Sequence, residues 1–194
     1  MFKKSSLLVI LMLLGIQGFG QSAKALQLSA AAINLTQQKV VYDPAYFKIP
    51  YPNGDVPAGK GVCTDVVIRA YRSQGIDLQQ KVHEDMAANF KLYPKYWGRK
   101  TPDTNIDHRR VYNLMAFFAR KGVEKPMTKT STDYLPGDMV CWNLGGNITH
   151  IGIVINRKSA DGKRFLIVHN IGRGQEISDC LFAWKIIGHY QYKI

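Results

Sequence analysis

The hydrophobic periodicity of this chain changes near its middle, and that change limits the possible folds more than any other feature. In the N-terminal part apolar residues recur at helical spacing: Val62, Val66, Val67, Ala70 and Tyr71 make one stripe, with Arg69 and Arg72 outside it and Gly75 closing the segment. A second stripe runs through Val111, Leu114, Met115, Phe117 and Phe118 and stops at Gly122. The pattern predicts helices over about residues 28–39, 62–75, 82–92 and 107–121. Residues 42–61 carry four prolines and three glycines, so they read as an extended, turn-rich loop that delivers the chain to Cys63. Residues 93–105, rich in Pro, Tyr and Trp, read as another loop. From 138 onward the runs are short and β-branched or aromatic, at 138–142, 150–156, 165–169 and 189–192. They are separated by turn signals such as Gly145-Gly146-Asn147 and Asp161-Gly162-Lys163. Helices followed by strands predict an α+β fold, with an antiparallel sheet packed against the early helices.

The first 25 residues read as an address. Lys3 and Lys4 precede an apolar run from residue 7 to 20 that small residues then close, which is the pattern of a secretory signal peptide cut after Gly20 or Ala25. The run is too short for a membrane span, and no later segment is apolar enough to supply one. Removing it leaves 194 − 25 = 169 residues, the size of one ordinary domain, expected to be a soluble monomer over 26–194. The formal charge of +12 becomes +9 without Lys3, Lys4 and Lys24 (12 − 3). Such a surface suits an anionic envelope polymer, or is simply solvated. Nucleic acid is not expected, since neither an aromatic RNA-binding motif nor a DNA-reading helix accompanies the charge.

Cys63, Cys141 and Cys180 cannot all pair, so at least one thiol is left over or bridges to another chain. Cys63 opens its helix. There the partial positive charge of unpaired amides lowers a thiol's pKa, and the same amides can hold an oxyanion. Asp65, two residues on, suits the helix start but opposes a thiolate unless a basic group neutralises it. On placement alone a buried structural cysteine is the commoner outcome. His150 and His169 reverse that weighting. His150 begins the strand Ile151-Gly152-Ile153-Val154, and His169 ends the next one, so a hairpin through Asp161-Gly162 brings the two together. Adjacent strands lie about 4.8 Å apart, close enough for one histidine to serve as base and the other as its orienter. With Cys63 they make a complete nucleophile, base and orienter set. One cysteine and two histidines also suit zinc, but no fourth ligand is evident, and no metal or other cofactor is expected.

The helix-initial Cys63, then Pro136-Gly137-Asp138-Met139-Val140, then His150-Ile151-Gly152-Ile153-Val154, then Ile167-Val168-His169, together resemble the NlpC-type superfamily of papain-like cell-wall cysteine peptidases. Tyr42-Asp43-Pro44-Ala45-Tyr46, the segment from Gly61 to Ala70, Asn105-Ile106-Asp107-His108-Arg109-Arg110 and His169-Asn170-Ile171-Gly172-Arg173-Gly174 resemble, within it, the domain-of-unknown-function 1287 family. The resemblance implies a papain-like fold, with Cys63 as nucleophile, His150 as base, His169 as orienter and Tyr51 as a donor near the oxyanion. It also implies a substrate amide in peptidoglycan stem peptides or another envelope compound, handled in the periplasm or outside the cell. Val62-Cys63-Thr64-Asp65 stands where many relatives have Asp-Cys-Ser-Gly, so the first subsite is expected to differ, and Asn170 competes with His169 for the orienting role. Arg109 or Arg110 is a candidate fork for a substrate carboxylate, or else part of a solvated helix cap. Trp97, Trp142 and Trp184 offer a sugar-stacking surface, with core packing favoured for at least two. Cys141 and Cys180 are expected to be inert buried thiols, a bridge between them being the lesser alternative. The competing functions are a non-catalytic envelope-binding module and acyl transfer on the same fold.

Overall fold

The computed structural model describes residues 16–192. Lys3, Lys4 and most of the apolar run read as an export signal therefore lie outside the described residues. The architecture is α+β: helices α1 (Ile16–Leu35), α2 (Cys63–Arg72), α3 (Leu78–Ala88) and α4 (Val111–Lys121) precede most of the sheet. Strands β1 (Val41–Tyr42) and β2 (Lys60–Gly61) form a small parallel pair that ties together the two ends of the proline- and glycine-rich loop. The main sheet contains β3 (Val123–Glu124), β4 (Met139–Asn143), β5 (Thr149–Lys158), β6 (Phe165–Asn170), β7 (Gln175–Ser178) and β8 (Lys185–Gln191). Its order is β3-β8-β4-β5-β6-β7, and the paired neighbours are antiparallel. Among the described residues no helix is long and apolar enough to cross a membrane.

Local chemistry explains where the helices depart from the predicted spans. The first ends at Leu35 rather than near 39, because residues 36–38 turn back onto the carbonyls of 33–35. The third begins at Leu78 rather than near 82, because the Asp77 carboxylate caps it by accepting from the Gln79 N–H at 2.9 Å. Residues 107–109 form a separate tight turn, and α4 begins only after Arg110. The short β3 and β7 carry too few residues for an alternating pattern to register in the sequence.

Alternation along the strands sorts side chains onto two faces. Met139, Cys141, Ile151, Ile153, Ile155 and Val168 meet α1, α2 and α4 in the larger core, which also contains Cys63, Val66, Val67 and Tyr71. Val140, Trp142, Val154 and Ile167 face the other way, beneath Tyr134, Cys180 and Leu181. Helix α2 is buried on nearly every side between α1 and β5, and only its two arginines reach out, both to Asp55 at 2.9 Å.

Candidate active site

Two places in the chain prepare the site. The first is the start of α2, where Cys63 is the first helical residue after Val62. The second is a fork in the sheet. Strands β5 and β6 pair through Ile153–Val168 and Val154–Ile167, but beyond that point β6 keeps β7 as its partner, with His169 opposite Glu176 and Asn170 opposite Gln175. The α2 start meets the sheet at this fork. The Asn170 side chain donates to the Gly61 carbonyl at 3.1 Å, fixing the segment that leads into Cys63. The N–H groups of Ile151, Thr64 and Cys63 itself lie near the sulfur and favour its ionised form. Ile151 follows His150 directly, so the amide aimed at the thiol belongs to the chain that carries the imidazole.

His150 sits opposite Trp142 on β4. Its Nε2 lies 2.9 Å from Nδ1 of His169, whose own Nε2 is 2.5 Å from the Ser178 hydroxyl and 3.9 Å from Glu176. Gly152 makes this pairing possible: a Cβ there would stand 2.6 Å from the Ile167 side chain and 3.2 Å from Cβ of His169. Trp142 and Trp184 wall in the pair, their rings 5.9 and 6.0 Å from the His150 ring. His169, rather than Asn170, is therefore the residue in contact with His150. Ser178 and Glu176, which complete the chain of contacts, lie on the strand that periodicity did not reveal.

Burial governs the protonation states. It pushes the Cys63 thiol up to about 12, with Asp65 adding to the rise and the three amides opposing it. The helix start alone would have lowered it, but removal from water is the larger effect. Burial likewise lowers His150 to about 3, helped by repulsion from His169, and lowers His169, with Glu176 opposing and Arg173 assisting. Cys63 therefore rests as a neutral thiol, rather than the thiolate expected from helix placement, and His150 as a neutral imidazole. Among the described residues no hydrogen bond joins Cys63 to His150.

Asp65 turns out to be neutralised. Its carboxylate accepts from Arg109 Nε and Nη2, each at 3.0 Å, and from the Val62 N–H at 2.7 Å, so it braces the helix start and does not face a substrate. Arg109 is spent on the same contact. It also donates to the carbonyls of Ala45 and Asp43, which corrects the expectation of a free fork at that position. Tyr51 is exposed and packs edge-on against His83, with ring centroids 5.1 Å apart, because the intervening turns carry it away from Cys63. Tyr42 stands near the thiol instead; burial and then Cys63 raise its pKa, so it keeps its proton as a donor. Its place on the short β1 is what the sequence did not disclose.

Cys63 opens onto a cleft of about 460 Å³ lined also by Tyr42, Trp97, Arg109, Arg110 and Thr149. Of the three tryptophans, Trp97 alone lines it. Cys141 and Cys180 are free and buried in different cores on opposite faces of the sheet, so the bridge between them is not formed. Among the described residues no cluster of three or more His, Cys, Asp or Glu is arranged to hold a metal ion.

The chain is 53% identical over 151 residues to the uncharacterized protein YijF of Escherichia coli (strain K12), a match covering 78% of this chain and 73% of that protein. Residues 29–192 match the family model described as Domain of unknown function (DUF1287), so the folded core just described is coextensive with it and the chain belongs to that family.

Proposed function

We propose that this protein is an exported cysteine hydrolase of papain-like architecture that cleaves an amide or peptide bond through an acyl-enzyme on Cys63. What supports the reading is Cys63 at the α2 start, the Ile151 amide near its sulfur, and the His150–His169 contact at 2.9 Å on the adjoining strands; by alternation both imidazoles stand on the sheet face opposite Cys63, so His150 would reach the thiol by turning around the open strand end. A neutral histidine chain suits a general base. If His150 carries its proton on Nε2 and donates a hydrogen bond from it to Nδ1 of His169, then Nε2–H of His169 donates to Ser178. His150 Nδ1 is thereby left with a free lone pair.

The thiol proton then moves to His150 as sulfur attacks the substrate carbonyl, rather than before it. His169 accepts from the imidazolium so formed, with Glu176 beyond it. The Cys63 N–H at the helix start and the Tyr42 hydroxyl are the donors placed for the oxyanion. His150 next protonates the leaving amine, and water, activated in turn by His150, releases the acyl group.

The substrate class, an amide in a peptidoglycan stem peptide, is supported by the motif resemblance. The export reading is supported by the charged and apolar pattern of the first 25 residues. The deep burial of Cys63 and its raised pKa favour, as a second reading, a non-catalytic envelope-binding module. Mass spectrometry of muropeptides released from purified sacculi separates the two. Wild type is expected to generate new fragments, and Cys63→Ala to generate none while keeping its circular dichroism and melting temperature. Equal product from both proteins would exclude Cys63 chemistry, and none from either would favour the binding module.

A further inference from the structure

The cleft beside Cys63 carries an electrostatic asymmetry that amide hydrolysis alone does not explain. Its wall includes two arginines and no aspartate or glutamate. Arg109 is already matched by Asp65. Arg110, its neighbour, has only the longer-range attraction of Asp107 and Asp103: among the described residues its guanidinium forms no ion pair or hydrogen bond, and its Nε is buried without a partner. The group is nonetheless held in place, because its Cζ lies 4.0 Å from the centre of the Trp97 ring, a stack that orients the guanidinium plane while leaving its edge free.

A buried donor without an acceptor costs roughly 1–3 kcal/mol, so a fixed guanidinium kept unpaired in a cleft asks for an anion. Burial disfavours its charge, Asp107 and Asp103 offset part of that while Arg99 adds to it, and an incoming anion would relieve the remainder. A planar fork is matched best by a planar, two-oxygen acceptor. The cleft volume suits a ligand of two or three residues rather than a folded protein.

We propose that Arg110, presented by Trp97, binds a carboxylate of the substrate, so that the cleft selects short peptides bearing a free acidic group near the bond presented to Cys63. The proposal rests on the reading of Cys63 as the nucleophile of this cleft, but the binding it describes does not need turnover. Arg110 acts as a specificity residue, while Arg109 braces the helix start through Asp65.

The test uses matched probes, acetylated tripeptide amides Ala-X-Ala with X as Asp, Glu, Asn or Gln, titrated calorimetrically into the full chain carrying Cys63→Ala so that none is consumed. The acidic probes are expected to bind about 10- to 100-fold more tightly than their amide counterparts, the range for a hydrogen bond to a charged group. In Arg110→Gln that ratio is expected to fall to near one, and in Arg110→Lys, which keeps the charge without the fork, to an intermediate value. No acidic preference in the parent, or a preference that survives Arg110→Gln with the near-ultraviolet circular dichroism unchanged, overturns the proposal. If the preference follows Arg110 while wild type cuts none of the probes and no sacculi, the carboxylate site stands and the hydrolase reading fails.

Discussion

At the scale of single residues, protonation is set by burial and not by residue type. Cys63 at a helix start and His150 at a strand start are the positions from which a thiolate–imidazolium pair was expected. Yet the thiol is raised to about 12 and the imidazole lowered to about 3, because both stand away from water. His108, buried against Arg109 and Arg72, is also lowered to about 3. These two histidines make folding pH-dependent in a defined sense. Their native pKa lies below the unfolded value of 6.5, so as pH falls from about 6.5 toward 3 the unfolded chain takes up protons that the native one refuses, and stability is lost. At pH 7 and above the penalty is absent. We expect each group to cost about 2 kcal/mol by pH 5, measured as a difference in urea unfolding free energy between pH 7 and pH 5. In His108→Gln the difference should shrink by about 2 kcal/mol, the share of the one proton that His108 refuses, while His150 and His169 keep theirs.

At the scale of elements, the site depends on strands diverging. Gly152 lets β6 approach β5 closely enough for His169 to reach His150, and the fork just beyond admits the start of α2. In Gly152→Ala the new methyl would stand 2.6 Å from Ile167 and 3.0 Å from the Val168 carbonyl, both parts of a packed strand with no room to yield. We expect about 1–3 kcal/mol of destabilisation, the usual cost of overpacking. On the proposed hydrolase reading, turnover should fall further than stability, because the two imidazoles are pushed apart. Thermal melts read the first effect, and sacculus digestion below the melting temperature reads the second. Much of this element-level arrangement was legible in the sequence. The Gly162 turn joined β5 to β6, and Gly75 closed the α2 segment. β7 was not legible, since four residues of half-buried Gln, Glu, Ile and Ser carry no alternation strong enough to read.

At the scale of the whole molecule, the N-terminal helix contributes directly to the core. Among the described side chains Leu28 is the first that is fully buried, followed by Ala31 and Ala32, and the Ser29 hydroxyl accepts from the Asn156 N–H at 2.7 Å. A chain beginning at Leu26 keeps all of these, whereas one beginning at Thr36 loses them. The shorter chain is expected to melt lower than the longer by about 10 °C or more, corresponding to several kcal/mol for emptying a Leu site and its neighbours. Paired melting curves of the two chains check it. The same division between near and far in the chain separates what the sequence determined from what the tertiary structure decided. The order of helices and strands, the place of Cys63 at a helix start and the pairing of two histidines across a hairpin follow from periodicity, capping and turn residues, which act over a few positions. The partner that neutralises Asp65 is Arg109, 44 positions away, and it could not be chosen from a local pattern. Nor could the substitution of Tyr42 for Tyr51 beside the thiol, the support of His169 by Ser178, or the placing of Arg110 over Trp97. Those depend on which distant segments share a buried space, and exclusion of water, which sets the charge of the thiol, exists only once the chain has closed around it.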